Sequence, residues 1–433
     1  MDRLEIGILG IVATLIMIGI RVPVSVAMGV ASFAGIYFMM GIMPAIGISK
    51  AIPYDLIGNW NLSAVPMFLL MGYIASSAGL SSGLFSAARV FLNRIPGGLA
   101  TASVASSAMF ASASGSSVAT AAAFSRIAIP EMLKAGYAPS LAAGSVAAAG
   151  TLGSLIPPSV LLIVYGLTMD VSISTLFLAA VVPGILSALV FVAMITIRCI
   201  LNPSLAPKVD EKTTLGQKLE LVRDIWPLPV LILGVLGGIF TGIFTATEAG
   251  AIGAFLACVI ALFRRTLTAN TLKIALIDTA VGTATIFIIV MSAALFSSFI
   301  ALSTLPSWVT LQLAEFDTIW VIILICLLYI VLGCFLESIS IILLTVPVLA
   351  PLLTGMDINL IWFGVLAIKL LETGLITPPV GMNVYVIRSS LGNTIPLGTI
   401  FSGVSWFILA DAFTITLLVA FPVLTLWLPG IAG

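Results

Sequence analysis

The chain has 433 residues, 61% of them hydrophobic and 8% charged, with seventeen basic residues balanced by seventeen acidic ones. Mean hydropathy is +1.27, and a water-soluble domain, in which about a quarter of residues are charged, cannot carry so apolar a surface. Zero net charge gives no electrostatic case for nucleic acid, and the lack of any histidine removes Ser-His and Cys-His nucleophilic pairs and the usual zinc sites.

Met1-Asp2-Arg3-Leu4-Glu5 runs directly into an apolar segment with no small-residue cleavage site, which reads as a first transmembrane helix rather than a signal peptide. A spanning helix needs about 20 mostly apolar residues. Predicted spans in the first half are 4–20, 22–41, 62–80, 140–166 and 173–200. In the second half they are 226–243, 246–263, 274–301, 359–387 and 395–428. Some exceed one crossing, so tilt or an internal break is expected. The apolar stretches 97–129 and 318–351 carry Gly, Ser or a charge at mid-length and are read as hairpins that enter the membrane and turn back. Residues 202–224 form the one polar stretch of real length and read as a cytoplasmic linker. Cys199, Cys258, Cys326 and Cys334 lie in apolar surroundings without metal-ligand spacing, which favours packing over a disulfide or metal role. Trp60, Trp226, Trp308, Trp320 and Trp427 fall near segment ends, as interfacial anchors do.

The basic residues test this layout. With the N-terminus outside and both hairpins re-entrant, fourteen of the seventeen lie on one side, only Arg3 and Lys50 on the other, and Lys369 within a span. The positive-inside bias puts the fourteen, and the linker, in the cytoplasm and both termini outside.

A shift of 221 residues superposes Ser117 on Ser338, Pro130 on Pro351, Gly153 on Gly374, and Pro157-Pro158 on Pro378-Pro379. Five crossings plus a hairpin lie on each side of the linker, and an odd number of crossings inverts the second copy. The expected fold is therefore an all-α polytopic membrane protein of two inverted-topology repeats, residues 1–201 and 225–433. Each carries a re-entrant hairpin (about 97–129 and 318–351) and a broken helix (about 140–166 and 359–387). Paired broken segments in inverted repeats point to a secondary transporter with its site near the midplane.

The first hairpin tip, Ser112-Ala113-Ser114-Gly115-Ser116-Ser117, sets hydroxyls and a glycine where backbone must be satisfied by protein, ion or water. Hydroxyl and carbonyl oxygens are hard ligands suited to Na⁺. The alternative is close helix packing; clustering at a turn rather than along a face favours the ion or substrate role. In Gly150-Thr151-Leu152-Gly153-Ser154-Leu155-Ile156-Pro157-Pro158 the prolines stop a helix and free carbonyls beside Thr151 and Ser154. A mere kink is the bland reading, against which stands the recurrence as Glu372-Thr373-Gly374-Leu375-Ile376-Thr377-Pro378-Pro379. Glu337 and Glu372 are intramembrane carboxylates, functional by default, with a structural ion pair or cap as an equal alternative and Lys369, one turn before Glu372, as a candidate partner. Glu248, in Thr245-Ala246-Thr247-Glu248, reads as a helix N-terminal cap.

Pro66-Met67-Phe68, Ser114-Gly115-Ser116-Ser117, Gly153-Ser154-Leu155-Ile156-Pro157-Pro158-Ser159, Thr245-Ala246-Thr247-Glu248-Ala249, Phe335-Leu336-Glu337 and Glu372-Thr373-Gly374-Leu375-Ile376-Thr377-Pro378-Pro379-Val380-Gly381-Met382-Asn383 resemble the large membrane (M, or DctM-type) subunit of tripartite ATP-independent periplasmic (TRAP) transporters over nearly the whole chain. The resemblance implies a sodium-driven elevator, a scaffold plus a hairpin-bearing transport domain, in the bacterial inner membrane. It implies a small four-helix membrane subunit and a periplasmic substrate-binding protein as partners, and organic anions such as C4-dicarboxylates, sialic acid or other sugar acids as substrates, with Na⁺ as coupling ion and no cofactor. Carried onto this chain, one Na⁺ site joins Ser114, Gly115, Ser116 and Ser117 to Thr151, Gly153 and Pro157. The other joins Glu337, Ser338 and Ser340 to Thr373, Gly374, Thr377 and Pro378. Substrate lies between the tips, near Ser116, Ser154, Pro158, Ser338, Pro379 and Asn383. The rival readings are a channel or passive permease, which needs no paired broken helices, and an intramembrane serine hydrolase, for which Ser114 and Ser116 lack a base. A nucleotide-driven pump lacks its Gly-Lys-Ser/Thr loop.

Overall fold

A computed structural model describes residues 2–80, 83–207, 221, 224–313, 315–392 and 394–432, and every regular element among them is helical. The first half holds α1 (Arg3–Gly19), α2 (Val24–Met40), α3 (Ile42–Ile57), α4 (Ala64–Ser77), α5 (Leu84–Leu92), α6 (Gly98–Ser114), α7 (Ser117–Lys134), α8 (Pro139–Leu155), α9 (Val160–Met169) and α10 (Ile173–Leu201). The second holds α11 (Pro227–Phe240), α12 (Ala246–Phe263), α13 (Ala269–Leu302), α14 (Leu305–Leu313), α15 (Thr318–Gly333), α16 (Ser338–Gly355), α17 (Leu360–Gly374), α18 (Met382–Leu391), α19 (Leu397–Ala420) and α20 (Val423–Ala432).

Local chemistry sets the boundaries. Asp2 and Glu5 form a reciprocal capping box that starts α1, and Thr245 and Glu248 do the same for α12, so Glu248 is the cap its position suggests. Prolines place the breaks. The span expected at 140–166 is α8 and α9, bent by 41° across Ile156-Pro157-Pro158-Ser159. The span at 359–387 is likewise α17 and α18. Both Pro-Pro peptide bonds are cis. The segment expected as one span at 395–428 is corrected to two helices, α19 and α20. Pro422 has no backbone N–H to continue α19, which ends at Ala420.

The hairpin arms run further than expected, to Lys134 and Gly355. Helices α5 and α14, and again α7 and α16, begin and end 221 residues apart. Five helices among the described residues (α10, α12, α13, α16 and α19) are long and apolar enough to cross a membrane unaided, six if α8 and α9 count as one span. Since α16 is among them, length and composition alone do not tell its hairpin arm from a crossing. Most of the linker, 208–220 with 222–223, lies outside the described residues, and so do the linker lysines Lys208, Lys212 and Lys218 and Arg223.

Packing interlocks the two halves. Every residue of α8 from Leu141 to Leu155 is buried, and so is every residue of α17 from Trp362 to Gly374. The small residues of α8 permit this. A Cβ added to Gly144 would sit 2.6 Å from the Gly403 carbonyl carbon, so the α8 and α19 main chains touch. Helix α8 also packs on α6 and α7, α17 on α15 and α10, and α18 on α7, so each broken helix crosses into the other half. On the opposite flank α4 packs against α12 and α13, and α2 against α13. All four cysteines are free, and the five tryptophans read as anchors are all exposed.

Candidate functional site

The two hairpin tips and the two helix breaks converge on one cavity of about 340 Å³. Its floor is the first tip (Ser114 to Ala119), Ser154 at the end of α8, Glu337 and Ser338 at the second tip, and Glu372 near the end of α17. Its wall is Leu69, Gly72, Tyr73 and Ser76 of α4 with Gly282, Thr285 and Ile286 of α13.

The first tip folds as a tight turn that a side chain would obstruct. Gly115 stands at φ +59°, in the left-handed region that favours glycine, and a Cβ there would approach the Pro158 carbonyl oxygen to 3.2 Å. Ser116 caps α7 by accepting from the Ala119 N–H, and the Thr120 hydroxyl donates to the Ser116 carbonyl at 2.8 Å and bonds the Ser114 hydroxyl at 3.0 Å. A Cβ on Gly153 would fall 2.6 Å from the Ser116 carbonyl oxygen, so α8 meets the tip backbone to backbone. A Cβ on Gly72 would fall 2.5 Å from the Ala113 carbonyl oxygen, which brings α4 against the other side of the turn. At the second tip Gly333 and Gly374 press together in the same way.

Glu372 ties the halves together. Its carboxylate accepts from the Ser117 hydroxyl, which also shares a hydrogen bond of 2.9 Å with the Ser154 hydroxyl. The carboxylate beside the second break therefore faces the first tip and the first break. Lys369 is not its ion-pair partner, which corrects the sequence expectation. The Lys369 ammonium lies against the Asp411 carboxylate of α19, both fully buried, and the Thr373 hydroxyl donates to Asp411 at 3.0 Å. Positions 369 and 372 face different neighbours: the first reaches α19, the second the cavity. Asp411 escaped sequence reasoning, although a lone carboxylate inside an apolar helix is the signal that singled out Glu337 and Glu372.

The remaining expected ligands fall into three groups. Ser114, Gly115, Ser116, Ser117, Ser154, Glu337 and Ser338 line the cavity. Thr151, Gly153, Pro157 and Pro158 are buried behind the first tip, with Thr151 donating to the Ala148 carbonyl at 2.6 Å; Ser340, Thr373, Gly374 and Asn383 are buried near the second break. Thr377 is half-buried and donates to the Thr373 carbonyl at 2.7 Å, whereas Pro378 and Pro379 are exposed. The two breaks thus differ: the first is enclosed, the second open.

Two features define what the cavity can do. Among the described residues, two groups on the cavity lining, the Ser338 hydroxyl and one carboxylate oxygen of Glu372, are buried without a hydrogen-bond partner. Burying such groups unpaired costs about 1–3 kcal/mol each, so they await a polar occupant. In addition, the first residues of four helices, Ser117, Val160, Ser338 and Met382, all line this cavity. Helix starts present free N–H groups and a partial positive charge to an anion. The helices that end beside them, α6, α8 and α17, leave carbonyl oxygens that suit a cation. Among the described residues no cluster of His, Cys, Asp and Glu could hold a metal ion.

Comparison with known proteins gives the family. The family described as tripartite ATP-independent periplasmic transporter, DctM component, matches residues 11–424. The chain belongs to that family. Similar TRAP proteins include the C4-dicarboxylate TRAP transporter large permease protein DctM of Pseudomonas aeruginosa, 35% identical over 87% of this chain and 87% of that one. The sialic acid TRAP transporter large permease protein SiaM of Vibrio cholerae is 34% identical over 86% and 87%. The isethionate TRAP transporter permease protein DctMQ of Oleidesulfovibrio alaskensis is 31% identical over 87% of this chain but 59% of its own length. The crystal structure of the Alcanivorax borkumensis YdaH transporter superposes with a TM-score of 0.58 over 86% of this chain and 87% of that chain. At 16% identity that likeness speaks to the fold alone. As a TRAP large permease, the chain is a multi-pass subunit of a transporter in the inner membrane and not an enzyme.

Proposed function

We propose that this subunit imports a small organic anion, delivered by a periplasmic binding protein, together with Na⁺, by an elevator movement of the transport domain that bears both hairpins against the α1, α2, α4, α12 and α13 scaffold. A small four-helix membrane subunit is its second partner. The observation that carries the reading is the convergence of four helix starts and three helix ends, those of α6, α8 and α17, on one cavity. The starts favour a carboxylate or sulfonate, and the freed carbonyls with the tip hydroxyls favour sodium. The substrates named for the similar permeases (C4-dicarboxylates, sialic acid, isethionate) are all small organic anions.

The residues fit two sodium positions. Ser114, Ser116, Ser117 and the freed carbonyls near Thr151 and Gly153 belong to the first, with Glu372 supplying the negative charge. Glu337, Ser338, Ser340 and the carbonyls of 373–377 belong to the second. The 14-to-2 distribution of basic residues supports cytoplasmic linker and loops with both termini periplasmic. The same reading takes 1–201 and 225–433 as inverted repeats.

Ser117→Ala and Ser338→Ala are each expected to raise the sodium concentration that half-saturates uptake by roughly 5- to 15-fold, the value of about one hydrogen bond. Sodium titration of uptake in proteoliposomes checks this, and unchanged half-saturation in both variants removes the site assignment. A channel would show flux that neither saturates nor follows a sodium gradient.

A further inference from the structure

A second concavity lies away from the transport site, between α10 and α19 on the outside of the chain. It encloses about 570 Å³ and is lined almost wholly by apolar side chains, among them Met194, Ile197, Leu409 and Phe413. One end is polar. There Arg198, in the last turn of α10, lies with its guanidinium carbon 4.6 Å from the centre of the Trp406 ring. Asn202 adjoins it, its side-chain oxygen accepting from the Ser204 hydroxyl at 2.6 Å. The Arg198 Nη1 is shielded from solvent, yet among the described residues it has no hydrogen-bond partner.

We infer that this groove holds one phospholipid, with an acyl chain along the trough and its phosphate on Arg198. Three observations choose that occupant. The wall from Val190 to Leu201 rises roughly 16 Å at 1.5 Å per residue, the depth of one leaflet of a core about 30 Å thick. Next, Arg198 lines the polar end of the groove and is half-buried there, and a phosphate matches its planar donors. Finally, the Trp406 face already orients the guanidinium by cation–π contact, so a headgroup meets a prepared cation rather than a mobile one. Free phosphate would satisfy Arg198 but leave the trough empty. A partner transmembrane helix would cover the apolar faces but bring no anion to the leaflet boundary. An anionic headgroup is preferred because its net charge adds to the phosphate contact.

The test uses the full chain in vesicles of phosphatidylcholine containing brominated phosphatidylglycerol or, separately, brominated phosphatidylcholine at the same mole fraction. Bromine quenches tryptophan on contact, and the Trp406→Phe variant isolates the Trp406 share of the signal. The brominated phosphatidylglycerol is expected to quench that share with roughly fivefold higher apparent affinity, the worth of one basic residue toward an anionic lipid. Arg198→Met should abolish the preference and Arg198→Lys, which keeps the charge but loses the planar donors, should keep only part of it; retained uptake by each shows that it folds. Equal quenching by the two lipids, or a preference that survives Arg198→Met, overturns the inference. So does loss of the preference on adding millimolar inorganic phosphate, which would assign the site to the free ion. A Trp406 signal that neither lipid quenches would give the groove to a protein partner.

Discussion

Glu372→Gln is expected to raise the half-saturating sodium concentration for uptake by roughly 10- to 100-fold, the equivalent of the 1.5–3 kcal/mol carried by a hydrogen-bonded charge. Glu372 is fully buried, one of its oxygens takes the Ser117 hydroxyl, and the other has no partner among the described residues. A carboxylate so placed needs a cation to stay charged. Lys369 does not serve, because its ammonium lies on Asp411. In the proposed site, sodium held by the Ser114–Ser117 turn would supply the missing charge. Glutamine keeps the shape and can still accept from Ser117, so the variant should fold and bind substrate while losing sodium affinity. A sodium titration identical to the parent's would make Glu372 a neutral structural acid and would separate it from the first sodium position.

The second large effect concerns the pair itself. Lys369 and Asp411 are 1% and 0% exposed, and removing one member strands the other charge in the interior at a cost of about 3–5 kcal/mol. Lys369→Met should therefore lower the unfolding midpoint in detergent sharply and remove uptake. Lys369→Met combined with Asp411→Leu leaves neither charge, and the Thr373 hydroxyl can then donate to the Lys369 carbonyl, 2.9 Å away. The double variant should regain most of the lost stability, as replacement of buried pairs by apolar residues commonly does, and uptake should return with it. A double variant as unstable as the single would show that Lys369 neutralises a charge other than Asp411, Glu372 being the nearest candidate.

Both results bear on what the sequence could reveal. The helix turns and breaks were legible because a clustered Gly-Ser run, the Glu337-Ser338 pair and paired prolines interrupt otherwise apolar runs, and a Pro-Pro pair removes two consecutive backbone donors; single prolines such as Pro130 and Pro351 stay inside their helices. Ser117 and Ser338 could be aligned because their surroundings repeat, and each proves to be the first residue of a hairpin arm. The partner of Lys369 was not legible. Spacing along one helix pointed to Glu372, whereas Asp411 lies 42 residues on, in a helix whose facing depends on packing. The cavity wall was hidden for the same reason: Tyr73 and Thr285 are polar residues among others in largely apolar helices, and nothing local says which way they turn. Nor did the symmetry of Pro157-Pro158 and Pro378-Pro379 foretell that one break is buried and the other exposed. That difference arises because α8 is enclosed by α6, α7 and α19, whereas the chain after α17 reaches the surface.

The central claim is that sodium and a delivered organic anion meet in the cavity between the hairpin tips. The most direct measurement is uptake of radiolabelled organic acids by proteoliposomes containing this chain, its small membrane subunit and a binding protein, with and without an inward sodium gradient. The account predicts uptake that saturates, requires the binding protein and collapses when the gradient is removed. Uptake indifferent to both sodium and the binding protein would contradict it and leave a passive permease in its place.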